Sequence, residues 1–119
     1  MYLVFDTETT GLPLWKEPSD DPGQPHVVDI AWTLYAADRS EIERYDAIIN
    51  PGVPIPDEVA KIHGITTERA IAEGIAPAEA WERFSSAVAR TEIVIGHNVS
   101  FDLRMMRITA ARLTGDKWD

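Results

Sequence analysis

Apolar and polar side chains follow two different periods along the chain. The first five residues after Met1, Tyr2-Leu3-Val4-Phe5-Asp6, form an apolar run of aromatic and β-branched character and predict a strand. From Val28 onward, Val28, Ile30, Trp32 and Leu34 alternate with Asp29, Ala31, Thr33 and Tyr35, the period of two expected of a strand with one buried face. The polar stretch Ala37-Asp38-Arg39-Ser40 turns the chain into a third strand over roughly 42–50, whose imperfect alternation predicts a bulge. Between the first two strands, Gly11, Pro13, Pro18, Pro22, Gly23 and Pro25 mark residues 11–26 as a long surface loop, with His26 exposed to solvent. After Pro51, Pro54 and Pro56 the pattern becomes helical. Short helices are predicted over 57–63 and 67–73, the second capped by Thr67, and a longer one has Pro77 in its first turn and Trp81, Phe84 and Val88 on one face. Ile93-Val94-Ile95 is β-branched throughout and predicts a buried fourth strand ended by Gly96. A last helix runs from about Ser100, with Leu103, Met106, Ala110 and Leu113 at helical spacing, to Gly115 as its C-cap.

This order predicts an α/β fold with a mixed sheet. Three strands form an antiparallel meander, and a helical crossover sets the fourth beside the first and parallel to it. In such a sheet the functional crevice lies at the carboxyl ends of the parallel strands. The residues just after Phe5 and just after Ile95 are therefore expected to meet.

Composition narrows the picture. The 119 residues suffice for one domain with a core. There is no cysteine, which removes disulfides, thiolate metal sites and cysteine nucleophiles. No run approaches the roughly 18 apolar residues of a membrane span, and the apolar start is too short for a signal peptide, so the expectation is a cytoplasmic protein without membrane contact. The net charge of −9, from 20 acidic and 11 basic side chains, argues against tight non-specific duplex binding. It leaves room for a nucleic-acid enzyme whose site holds divalent cations, because bound metal reverses the local field.

Two acidic segments fall at the predicted crevice. Asp6 and Glu8 are two residues apart and project to one face of an extended chain. With no lysine or arginine close in sequence, a hard divalent cation such as Mg²⁺ or Mn²⁺ is the attractive way to hold them together. Spacing alone favours a solvated acidic turn at the end of a strand. Asp102 falls in the first turn of the last helix, where the helix dipole favours a carboxylate whether or not it does chemistry.

Together the segments are specific. Phe5-Asp6-Thr7-Glu8-Thr9-Thr10-Gly11 and His97-Asn98-Val99-Ser100-Phe101-Asp102 resemble the first two motifs of the DEDD-type, DnaQ-like 3′–5′ exonucleases, the superfamily of the proofreading epsilon subunit of bacterial DNA polymerase III and of ribonuclease T. Residues 50–69, from Asn50-Pro51-Gly52 through Ile62-His63-Gly64-Ile65 to Arg69, resemble the epsilon-like branch in particular. The resemblance implies a ribonuclease-H-like sheet with flanking helices and hydrolysis at a single-stranded 3′ end, DNA rather than RNA, with two Mg²⁺ or Mn²⁺ ions. It assigns Asp6, Glu8 and Asp102 as catalytic metal ligands, with Asp6 bridging both ions. It gives Thr7, Thr9, Leu12, Ile62, His63 and Phe101 to the terminal nucleotide, Leu12 as a wedge beside the base. Ordinary loop packing for Leu12, a core role for Phe101 and a local hydrogen bond for His63 stand beside these assignments.

The family's third motif, a histidine general base and a fourth aspartate, has no counterpart after Asp102, where no histidine occurs and Asp116 and Asp119 lie at the end of the chain. The expectation is a single domain truncated before the fifth strand, with low or no activity and Ile93-Val94-Ile95 on an uncovered edge. A homodimer or a polymerase-like partner is the other way to cover that edge. Two further readings remain open: a module that binds an end or a nucleotide without cutting it, and a docking subunit of a polymerase-like assembly.

Overall fold

The computed structural model describes Met1–Gly115, so Asp116 and Asp119 lie outside the described residues. β1 (Tyr2–Thr9) buries Leu3, Phe5 and Thr7 and turns Val4, Asp6 and Glu8 to the opposite face. β2 (Val27–Tyr35) pairs antiparallel with β1, and β3 (Glu41–Ile48) antiparallel with β2. β4 (Ile93–Ile95) lies on the other side of β1 and parallel to it, with Leu3 opposite Val94, which gives the order β3-β2-β1-β4. This is the mixed sheet expected from the element order.

Two register shifts break the alternation. Glu8 is opposite Asp29 but Thr9 is opposite Val27, so Val28 is the extra residue of a bulge. The bulge lets Val27 join the main core with Ile30 and Trp32 while Val28 turns into a smaller cluster with Ile55, Ala60, Ile65 and Ala70. The second shift leaves Ile42 unpaired between Glu41 and Glu43 and accounts for the imperfect alternation of β3.

Four helices complete the fold: α1 (Asp57–His63), α2 (Thr67–Glu73), α3 (Pro77–Ala89) and α4 (Val99–Thr114). Thr66, not Thr67, caps α2, accepting from the Arg69 backbone N–H at 3.1 Å. Thr67 Oγ1 accepts from Ile55 N–H instead and ties α2 to the preceding loop. Proline at the start of α3 sits where no intrahelical donor is needed. α3 and α4 cover one face of the sheet, where Phe84 meets Phe5 at a ring separation of 4.9 Å. Full burial of each such side chain contributes about 1.5–3 kcal/mol.

The buried stripe of α4 is Asp102, Met105, Met106 and Thr109, with Ile108 and Ala110, while Leu113 is exposed. A carboxylate thus occupies a core position. The fourth strand is not buried: Ile93 and Ile95 are 58% and 44% exposed. They share the face of Tyr2 and Val4, away from α3 and α4, and only Val94 packs on the core. His26 is half-buried: its carbonyl accepts from the Thr10 N–H and its N–H donates to the Thr10 hydroxyl, and burial together with Arg112 lowers its pKa.

Candidate active site

Beyond the last β1–β4 pair, Val4 with Ile95, the chain turns at Gly96 and enters α4. The Asp102 carboxylate then takes the place of a neighbouring strand: its Oδ1 accepts from the Thr7 backbone N–H at 3.2 Å and from the Thr7 hydroxyl at 2.6 Å. Gly96 allows this approach, because a Cβ there would stand 3.2 Å from Asp102 Oδ2 and 3.3 Å from the Phe5 carbonyl oxygen. The motif residues from the two ends of the chain therefore meet at the carboxyl ends of β1 and β4.

Asp102 is 1% exposed, and its Oδ2 is buried without a hydrogen-bond partner. Burial raises its pKa above the ordinary carboxylate value, the Thr7 hydroxyl opposes that rise, and the Asp6 carboxylate adds to it. Asp6 is exposed and Glu8 half-buried, both on the face of β1 opposite Thr7. None of the ion pairs among the described residues involves Asp6, Glu8 or Asp102.

Strand register adds two acids that the sequence did not mark as functional. Asp6 is opposite Ala31, Ala31 is opposite Asp46, and Glu8 is opposite Asp29, so Asp6, Glu8, Asp29 and Asp46 share one sheet face. Asp29 is pushed up to about 7, first by burial and then by the neighbouring Asp46 carboxylate, with Glu8 adding to the effect. Asp29 was visible only as a polar alternant, and nothing in the linear sequence pairs it with Asp46.

The donor set is all oxygen, which suits Mg²⁺ or Mn²⁺. Asp102 Oδ2, a buried acceptor without a donor, is the feature that fits a cation. Among the described residues no three acidic or histidine side chains stand close enough to enclose one ion as they are placed.

A cavity of about 260 Å³ adjoins these acids, lined by Thr7, Glu8 and Thr9 of β1 together with Leu12, Ile62, His63 and Phe101. All six residues expected at a terminal nucleotide thus fall on one pocket, and Asp6 and Asp102 are outside its lining. Leu12 and Ile62 are 79% and 82% exposed and form its rim. Phe101 is half-buried and also packs on the main core. His63 Nδ1 accepts from Ile65 N–H at 3.1 Å, which leaves Nε2 as the donor to the Thr9 carbonyl at 3.2 Å. Thr9 Oγ1 donates to the Gly11 carbonyl.

A mixed sheet of order β3-β2-β1-β4 with acidic side chains at the end of its first strand is the architecture of ribonuclease-H-like folds. Residues 3–118 match the family model described as Exonuclease, of the ribonuclease T type, and the chain belongs to that DnaQ-like family. Over 107 residues it is 37% identical to a DNA polymerase III subunit epsilon-like protein of Rhodobacter capsulatus, covering 89% of this chain and 14% of that protein. It is 26% identical over 118 residues to a PolC-type DNA polymerase III of Thermotoga petrophila, covering 99% of this chain and 8% of that protein. Among solved structures, Escherichia coli Exonuclease I in complex with a dT13 oligonucleotide superposes with a TM-score of 0.74 at 23% identity, covering 93% of this chain and 24% of that one. The chain therefore spans a small part of each of these relatives. No helix among the described residues is long and apolar enough to cross a membrane.

Proposed function

We propose that this domain is a divalent-metal-dependent 3′–5′ exonuclease that releases nucleoside monophosphates from single-stranded DNA ends. The observation that carries the reading is Asp102, a carboxylate at a helix start with one oxygen fixed by Thr7 and the other buried and unpartnered, whose pKa the Asp6 charge helps to raise. Asp6, Glu8 and Asp102 would hold two Mg²⁺ or Mn²⁺ ions, which when bound activate water and stabilise the leaving oxygen. Thr7 orients Asp102, Leu12 and Ile62 flank the terminal base, and Phe101 lies under the sugar or base. His63 fixes the Thr9 carbonyl and with it the backbone that meets the nucleotide. The E. coli Exonuclease I complex with dT13 and the epsilon-like and PolC-type relatives support a DNA end and a polymerase-like assembly as partners.

These 119 residues alone are expected to cleave slowly. No histidine follows His97, and absence of a general base removes roughly 10²–10⁴-fold of rate. The open placement of the acids favours a second reading in which the pocket holds a DNA end without cutting it.

Thermal melting with Mn²⁺ and cleavage of a 5′-labelled dT oligomer separate the two. A ligand that binds only the folded state raises the melting midpoint. Mn²⁺ should raise it in the wild type and not in Asp6→Ala, and cleavage should yield a ladder shortened from the 3′ end. A Mn²⁺ response without any ladder supports the binding module, and no response in the wild type rejects the metal site.

A further inference from the structure

The proline-rich loop runs along α4 and carries an exposed aromatic beyond the pocket. Leu12 and Phe101 both line the pocket. Three residues after each stand Trp15 and Arg104, and the Arg104 guanidinium carbon lies 5.9 Å from the centre of the Trp15 ring. The Nη2 of Arg104 donates to the carbonyls of Leu14 and Glu17, which holds the loop against the helix on both sides of Trp15. Farther along, Arg112 donates to the carbonyls of Gln24 and Pro25. The indole, 55% exposed, is thus presented on a braced segment.

We propose that Trp15 is a second stacking platform, for the base that precedes the terminal nucleotide of a single-stranded DNA end; this rests on the reading of the pocket given above. Three residues of helix advance about 4.5 Å, so the arginine that meets the Trp15 ring stands about one turn of α4 beyond the pocket residue Phe101. An aromatic face accepts any base, and a cation behind it suits a strand bearing phosphates. In a chain of net charge −9, α4 carries Arg104, Arg107 and Arg112 against the single carboxylate Asp102; Lys16 adjoins Trp15, and Glu17, Asp20 and Asp21 follow in the same loop. Because the ring is exposed, its removal leaves the core intact.

The test compares a phosphorothioate thymidylate octamer, which resists cleavage, with dTMP, using Trp15→Ala and Trp15→Phe in Mg²⁺. Trp15→Ala should weaken octamer binding by about 5- to 150-fold. Its dTMP affinity and melting midpoint should be unchanged, and Trp15→Phe should recover most of the octamer affinity. Unchanged octamer affinity in Trp15→Ala overturns the proposal, as does a parallel loss of dTMP binding, which would make Trp15 a prop for the pocket. If the wild type binds neither probe, the reading of the pocket falls and the proposal with it. If the wild type binds both and Trp15→Ala is indistinguishable from it, only the stacking role falls.

Discussion

The Thr7 hydroxyl donates to Asp102 Oδ1 at 2.6 Å across a sequence separation of 95 residues, and the backbone N–H of Thr7 donates to the same oxygen. Replacing Thr7 by valine keeps the shape and strand preference of the side chain but removes the hydroxyl. A hydrogen bond to a charged buried group is worth about 1.5–3 kcal/mol. Thr7→Val should therefore lower the free energy of unfolding by about 2 kcal/mol at neutral pH, and Thr7→Ser should lose less. The hydroxyl opposes the raised pKa of Asp102, so the deficit should shrink as pH falls and Asp102 is protonated in both proteins. Equal urea midpoints for wild type and Thr7→Val at neutral pH would show that this contact carries no stability.

That contact was legible in advance only as a neighbourhood. Alternation in β2 and the helical spacing after Pro56 gave the element order, and the order alone placed the ends of β1 and β4 together. The position of Asp102 on the buried stripe of α4 was hidden, because Leu103 and Leu113 suggested a different face, and Leu113 is exposed. Hydrophobicity likewise misjudged β4. Ile93 and Ile95 look like core residues, yet an edge strand of three residues buries only the side chain that faces the helices. The Asp29–Asp46 pair depends on register between strands, which the linear pattern does not specify.

Gly96→Ala tests how tightly the crevice is packed. The new methyl would meet Asp102 Oδ2 and Val99 Cα, both at 3.2 Å, and the Phe5 carbonyl oxygen at 3.3 Å. Two of these are backbone atoms, so the Asp102 side chain is the part most able to move. Overpacking of this kind costs about 1–3 kcal/mol. The expected result is a folded variant, about 1 kcal/mol less stable, whose melting midpoint rises less with Mn²⁺ than that of the wild type. A full Mn²⁺ response in this variant would show that the placement of Asp102 Oδ2 does not matter for metal.

Asp29 predicts a pH dependence of unusual sign for a carboxylate. Its folded pKa of about 7 lies above the ordinary 3.8, so between these values the folded state binds more protons than the unfolded chain. Stability then falls as pH rises through that window, and the full contribution is present only below the unfolded value. In EDTA, the wild type should show a higher urea midpoint at pH 5.5 than at pH 8. Asp29→Asn, neutral throughout and able to donate to Asp46, should flatten this slope and exceed the wild type at pH 8. Parallel pH profiles for the two proteins would remove Asp29 as the source.

Gln24 governs the loop that carries Leu12 and Trp15. The side chain is 2% exposed, and its Oε1 accepts from Leu14 N–H at 2.8 Å. Its Nε2 donates to the carbonyls of Leu14 at 3.1 Å and Pro18 at 3.0 Å. The amide thereby gives the Leu14 N–H its partner and adds a further donor to two carbonyls that also accept from the Glu17 and Asp21 N–H groups. Gln24→Ala strands the Leu14 N–H, at a cost of about 1–3 kcal/mol if it stays buried, so this stretch of the loop should open to water rather than bear it. The sheet and α3 do not depend on Gln24, and opening of the loop is therefore local. Limited proteolysis should cut Gln24→Ala at Lys16 well before the wild type, while the urea midpoint of the core changes little. Equal cleavage rates at Lys16 would mean that Arg104 and Arg112 alone hold the loop. A large fall in the midpoint would mean that the loop and core unfold as one unit.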